Sequence, residues 1–504
     1  MGGASLARPG GAPELSAEEL GADESARDAR RRALALGARW ALVALLGGGT
    51  ALATLRFALE TPPRDAVPAW LMLLGLSSLA LALAGVAARG LPRRHLAVAT
   101  LGVAAMLRLA ALFAPVSLSD DVHRYVWDGA ALAHGIDPYA HRPIEIVGQA
   151  PGLEPARLAA LNSPRYHTVY PPVAQLAFAT AALAEPSVDG ALALRALFGL
   201  ADLAAIALLF ALLDRLGRAR AWALFYAWSP LVYWEIAAGG HTEALMVPLL
   251  LAATIQALDA RPARAGALLG LAVAAKITAL VLAPILVVHL ARRVGLARAL
   301  GAALAAALTV ALAFLPFASA TLVPNLTESL ALFGDRFSFN APVYYALRDA
   351  LGYVEGERAP VDGVLMPWLA AATLLALSAL ALWQTGSRER LVVGMACSLL
   401  ALLLLSRVVH PWYGVAALAF GAAARSPTLV LASVLLPLSY LRYQPFGREE
   451  PWVLAVEFVP ILVALVLEAA VRARVTPPPP PARARAPARA RSPRSPPGTP
   501  APRR

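Results

Sequence analysis

Between residues 117 and 143 the chain reads Ser-Leu-Ser-Asp-Asp-Val-His-Arg-Tyr-Val-Trp-Asp-Gly and, after a short apolar break, His-Gly-Ile-Asp-Pro-Tyr-Ala-His-Arg-Pro. Carboxylates, imidazoles, guanidinium groups and aromatic rings are concentrated there, between almost wholly apolar segments. With 120–133 helical, Asp121, Tyr125 and Asp128 fall at i, i+4 and i+7, so two carboxylates and a phenol share one face, with Arg124 and Trp127 beside it. Adjacent carboxylates at a membrane boundary repel and desolvate each other, which raises the pKa of one of them, as a general base acting near neutral pH requires. Asp121 is the candidate base and Asp120 its alternate, although Asp120 also suits the N-cap of this helix.

Further along, polar residues recur at isolated points. Gly240-His241-Thr242-Glu243 follows a glycine turn, and His410-Pro411-Trp412-Tyr413 opens a short apolar run. Lys276 is the only lysine in the sequence and lies within an apolar segment. An ionisable group in such a place is a functional candidate, here for a phosphate. Arg124, Arg142 and Arg407 are further phosphate candidates, because guanidinium matches phosphate oxygens bidentately. His410 is a candidate hydrogen-bond donor, whereas Trp412 and Tyr413 also fit an interfacial aromatic belt. His241 and Glu243 could bind sugar hydroxyls or, with the aspartates, a divalent cation; two such residues do not define a metal site, and the metal requirement is left open.

These residues need a membrane scaffold to bring them together. Of 504 residues 59% are hydrophobic, and the mean hydropathy is +0.62, far above a soluble domain. The fold class is therefore all-α and polytopic, with about 12–14 helices. Runs long enough to cross a bilayer are 38–58, 67–88, 94–115, 191–213, 296–316, 364–384 and 451–472; shorter ones include 171–184, 242–258, 264–290, 389–406, 411–424 and 427–441. Arginines in short loops mark the cytoplasmic side. Arg27–Arg32 and Arg89–Arg94 place 116–169 outside as a large first extracytoplasmic loop, and 317–361 outside as a second. Counting crossings then conflicts with Arg215, Arg218 and Arg220 unless 171–184 fails to cross and 264–290 is broken or re-entrant. With both adjusted, Gly239–Glu243 and Lys276 face the acidic loop.

The net charge of +12 comes largely from the ends, since 472–504 holds nine arginines and no acidic residue. No aromatic interleaving or nucleic-acid module accompanies them, so the tail, 474–504, reads as a disordered Pro/Arg-rich cytoplasmic segment near anionic lipid, not as a nucleic-acid partner. Residues 1–36 read as a disordered cytoplasmic segment without a cleavable signal, and 37–473 as the membrane domain. A single cysteine, Cys397, permits no intrachain disulfide.

The pattern Asp120-Asp121-Val-x-Arg124-Tyr125-x-Trp127-Asp128-Gly, followed by His-Gly-Ile-Asp-Pro-Tyr139 and Tyr170-Pro-Pro, resembles the polyprenyl-phosphate-sugar-dependent glycosyltransferases of the GT-C class, in their bacterial mannosyltransferase-like branch. The similarity continues in order through Gly240–Leu245, Lys276 and His410–Tyr413. Members more often carry Asn-Asp where this chain has Thr242-Glu243. The resemblance implies a GT-C-like architecture, an acidic residue of the first motif as catalyst, and inversion at the anomeric carbon. It also implies substrate contacts at Arg124, Tyr125, Asp128, Tyr139, Tyr170, His241, Glu243, Lys276, Arg407, His410, Trp412 and Tyr413. The implied reaction moves a hexose, mannose foremost, from a polyprenyl phosphate to a glycan or lipid hydroxyl on the outer face of the cytoplasmic membrane. The alternative is a multi-pass transporter or lipid-linked-sugar flippase, which would spread ionisable residues through its spans.

Overall fold

The computed structural model describes residues 17–184, 191–335, 337–352, 358–444 and 451–475. It is an all-α polytopic membrane protein. Among the described residues eight helices are long and apolar enough to cross a bilayer: Arg27–Glu60, Val67–Ala87, Arg93–Leu112, Ala191–Arg215, Ile277–Val294, Leu296–Phe317, Gly363–Leu382 and Pro451–Arg474. Shorter apolar helices, Pro172–Ala184, Glu243–Leu258, Pro262–Ala275, Pro411–Ala424 and Pro427–Tyr443, fill the interior. The long helices leave leucines and valines on their outer faces, Leu45, Leu76, Leu304 and Leu467 among them. Only a lipid-facing surface makes that arrangement stable.

The first helix begins at Ala17, not near residue 37. The expected disorder of 1–36 is thereby corrected for 17–36: the stretch is rich in Ala, Leu, Glu and Arg, which are strong helix formers, and it simply continues the first span. Residues 1–16 and most of the tail, 476–504, lie outside the described residues.

Side-chain contacts sort the helix termini into two ends. At the arginine-rich end Arg220 reaches the Arg93 carbonyl, Arg215 pairs with Asp259, Arg388 reaches the Arg215 carbonyl, and Arg472 reaches Ala424. The acidic motif, Lys276 and His410 meet at the opposite end. Near the start of Ala191–Arg215, Arg195 donates to the carbonyls of Ala114 and Ala238, so this helix sets out from the acidic end. Pro172–Ala184 leaves from that end and the chain is back there by Arg195, so it makes no net crossing. The 264–290 segment is two helices, broken where Lys276 adopts extended backbone (φ −156°, ψ 123°), and runs from the arginine-rich end to the acidic end and back. Lys276 therefore sits at the acidic end and Arg292 and Arg293 at the other.

Two close contacts fix the geometry. Gly266 and Gly270 face Ala302 and Ala306, where a Cβ would lie 2.0 Å and 2.5 Å from backbone oxygens, so small residues bring these helices together. Gly129 brings the acidic helix, Asp121–Ala133, onto Pro172–Ala184; a Cβ there would sit 2.4 Å from the Phe178 oxygen. Gly129→Ala is expected to force the helices apart and destabilise by about 1–3 kcal/mol, measured as a lower melting temperature in detergent. Deeper in the bundle Arg108 donates to Asp202 at 2.7 Å and to the Ala227 carbonyl at 2.6 Å, tying two spans by a fully enclosed pair.

Candidate active site

The acidic helix starts where Ser119 accepts the Asp121 N–H at 3.2 Å, a capping bond that leaves the Asp120 side chain uninvolved. Asp120 instead approaches Arg64 at 3.5 Å. The helix stops at Gly135, whose φ of +76° few other residues adopt. Asp121 points into a cavity of about 860 Å³ at the acidic end. Tyr125 donates to its carboxylate at 3.5 Å. Burial, reinforced by Glu243 and Asp120 and opposed by Lys276 and a hydrogen bond from Asn162, raises the Asp121 pKa to about 6.

Facing it is the break at Lys276. The ammonium pairs with Glu243, which is 1% exposed, and lies 5.1 Å from the Tyr413 ring centroid. Thr242 and Glu243 begin a helix immediately after Gly240 (φ +70°), so the turn sets the carboxylate opposite the lysine. Trp412 stacks between His410 and His241, at centroid distances of 4.1 Å and 3.8 Å. Phe339 stacks on the other face of His410 at 4.7 Å. Burial, with the Lys276 charge adding, holds the His410 imidazole down at about 3.

The third wall comes from two loop segments joined by an isolated parallel bridge. Phe339 donates to the Arg407 carbonyl and accepts from Val409. Asn340 (φ +51°) fastens this bridge by donating to Glu457 of the last span at 2.7 Å. Arg407 reaches the cavity from here, with its guanidinium over the Tyr344 ring.

Asp120, Asp121, Arg124, Tyr125, Tyr170, Lys276, Arg407, His410, Trp412 and Tyr413 thus all line one cavity. Four expected contacts stand behind it. Asp128 is turned away to bind Arg124 at 2.7 Å and Gln175 at 3.2 Å. Tyr139 is buried and donates to the Tyr170 carbonyl at 2.7 Å. His241 lies beneath Trp412 and within 3.3 Å of Glu235, and Glu243 is reached through Lys276. Arg142 is exposed on Glu145. The belt alternative for Trp412 is corrected: it is 4% exposed, enclosed by the two histidines. Among the described residues no group of three or more His, Cys, Asp or Glu side chains is arranged to hold a metal ion. The charge facing Asp121 and Glu243 belongs to Lys276.

Arg64, Asn162, His167 and Tyr443 also line the cavity and were missed in the sequence. Arg64 did carry a signal, being an arginine in a loop that crossing counts place on the side that positive charges avoid. The other three carried none, because only packing brings them in.

A bundle of apolar helices closed around a polar chamber at one end defines a multi-pass membrane protein with an internal site. Comparison makes the class particular. A family model described as "Alpha-(1->6)-mannopyranosyltransferase, N-terminal domain" matches residues 33–292, just over half of the chain, and the chain belongs to that family, one of membrane mannosyltransferases. No curated protein matches the chain.

Proposed function

We propose that this protein transfers mannose from a polyprenyl-phosphate donor to a hydroxyl of a glycan or lipid acceptor at the outer face of the cytoplasmic membrane, with inversion. The observation that carries the reading is the shared cavity, in which the Asp121 carboxylate, of raised pKa, stands opposite the Lys276 ammonium. Asp121 takes the acceptor hydroxyl proton as the acceptor oxygen bonds to the anomeric carbon. The bond from that carbon to the phosphate oxygen breaks, and the electron pair leaves with polyprenyl phosphate. Lys276, Arg124 and Arg407 offset the charge developing on the leaving phosphate. Tyr125 orients Asp121, and His410 with its stacked neighbours and Tyr413 offer the polar edge and ring faces that sugars bind. Asp128, Tyr139, Tyr170, His241 and Glu243 hold these groups in place. Against a transporter or flippase, the charged side chains lining the cavity all come from the acidic end.

Membranes containing the protein are expected to transfer label from polyprenyl-phosphate-mannose to acceptor above control membranes. Absence of transfer across a panel of acceptors and lipid-phosphate sugars would overturn the reading. The rate also has an expected pH dependence. A base is active when deprotonated, so kcat/KM is expected to be level above about pH 7 and to fall about tenfold per unit below pH 6, following Asp121. His410, at about 3, contributes no limb in that range. A profile flat between pH 5 and 7 would remove Asp121 as the base.

A further inference from the structure

The cavity holds a cation that the reaction above does not use. Arg64 follows the first span in the segment Pro62-Pro63-Arg64-Asp65, and its guanidinium lines the chamber. Each of its contacts is long: 3.5 Å to the Asp120 carboxylate, 3.4 Å to the Ser117 carbonyl, and 5.1 Å to the Tyr443 ring centroid. Both members of the Arg64–Asp120 pair are about half exposed, at 48% and 49%. Lys276 and Arg124, by contrast, are committed to the enclosed carboxylates Glu243 and Asp128. The Arg64 backbone is nonetheless held in a turn, since the Asp65 N–H donates to the Pro62 carbonyl at 3.1 Å and the Ala66 N–H to the Pro63 carbonyl at 3.3 Å. A fixed backbone carrying a loosely paired guanidinium suits a group that exchanges partners.

We propose that Arg64 is a phosphate-binding residue of this site and that Asp120 is its resting partner, displaced when the phosphate of the donor arrives. The proposal rests on the transferase reading above and deepens it. A half-exposed ion pair is worth little, about 0–1 kcal/mol, whereas a guanidinium can hold a phosphate through two charge-assisted hydrogen bonds. The exchange is therefore favourable, and Asp120, which caps nothing, competes with the phosphate for Arg64. The two members of the pair should then act on binding with opposite signs.

The test measures binding of a short-chain polyprenyl monophosphate, the matching polyprenol and inorganic phosphate to the detergent-solubilised full chain, with Arg64→Ala, Arg64→Lys and Asp120→Asn. The expected result is that Arg64→Ala weakens the lipid phosphate about tenfold without changing the polyprenol, Arg64→Lys keeps part of the affinity, and Asp120→Asn tightens the lipid phosphate severalfold. Competition by inorganic phosphate, weakened by the same variant, would make the phosphate group sufficient; its absence would assign the site to the lipid-borne phosphate. Equal affinity in Arg64→Ala and the unaltered chain, weakening by both Arg64→Ala and Asp120→Asn, or no binding of lipid phosphate at all overturns the proposal. Melting temperatures of all variants accompany the binding data, and Arg64→Lys keeps the test decisive if Arg64→Ala does not fold. Because no sugar is moved in this assay, Arg64-dependent phosphate binding without mannose transfer would sink the transferase reading alone. Transfer with Arg64-independent binding would sink only this inference.

Discussion

Asp121→Asn is expected to lower mannose transfer by roughly 10²- to 10⁴-fold, with lipid-donor binding retained. The amide keeps the size of the carboxylate and can still accept the Tyr125 hydroxyl, so the wall of the cavity stays in place. It cannot take the acceptor proton. The fold should not suffer, because an acid whose pKa is raised by burial is one whose ionised form the folded state disfavours. That penalty is absent below the ordinary pKa of 3.8 and complete above about 6. At neutral pH the neutral amide removes it, so the variant should melt no lower than the parent. Single-turnover transfer, donor binding and melting temperature in one preparation check the three statements together. Transfer within threefold of the parent would exclude Asp121 as the base, whatever the other measurements gave.

Lys276→Met is expected to cost both activity and stability, and a second substitution separates the two. Glu243 is 1% exposed and its counter-charge is the Lys276 ammonium. Removing the lysine alone leaves an uncompensated carboxylate inside the bundle, which costs about 3–5 kcal/mol. The double variant Lys276→Met with Glu243→Gln replaces the pair by neutral groups of similar size and is expected to recover most of the lost stability. Transfer should not recover, because the leaving phosphate has lost its central positive charge, an effect of about 10²- to 10³-fold when a preorganised stabilising group is removed. Melting temperature restored together with transfer would make Lys276 a structural counter-ion only. The surviving pH profile is informative as well, since the Lys276 charge lowers the Asp121 pKa; without it the acid limb should move to higher pH.

Much of this site could be read from the chain itself. A 27-residue stretch dense in acids and rings, a unique lysine in an apolar run, and His-Pro-Trp-Tyr at a helix start are visible without coordinates, because charge in a membrane segment stands out against its surroundings. Of the fifteen catalytic or binding candidates, ten line the cavity, the ten being Asp120, Asp121, Arg124, Tyr125, Tyr170, Lys276, Arg407, His410, Trp412 and Tyr413. Helical spacing placed Asp128 on the face of Asp121, yet the i, i+4 pair with Arg124 and the bond from Gln175 draw its carboxylate into the wall. Spacing fixes direction around a helix axis but not which neighbour captures a flexible side chain.

Composition and the arginine distribution by themselves determined the membrane class, the grouping of the acidic motif, Lys276 and His410 at one end, and the need for one run that does not cross. Those properties follow from solvation: apolar runs must lie in lipid, and each terminus must lie at one end or the other. The count of crossings also pointed to 171–184 as the run that stays behind and to a broken 264–290, but the position of the break at Lys276, the Trp412 stack between two histidines and the bridge that carries Arg407 into the chamber were decided only by tertiary structure. The pairing of Lys276 with Glu243, 33 residues away, and of Arg64 with Asp120 depends on how helices pack. No local pattern encodes such contacts, because each is the outcome of many weak packing choices made along the whole bundle.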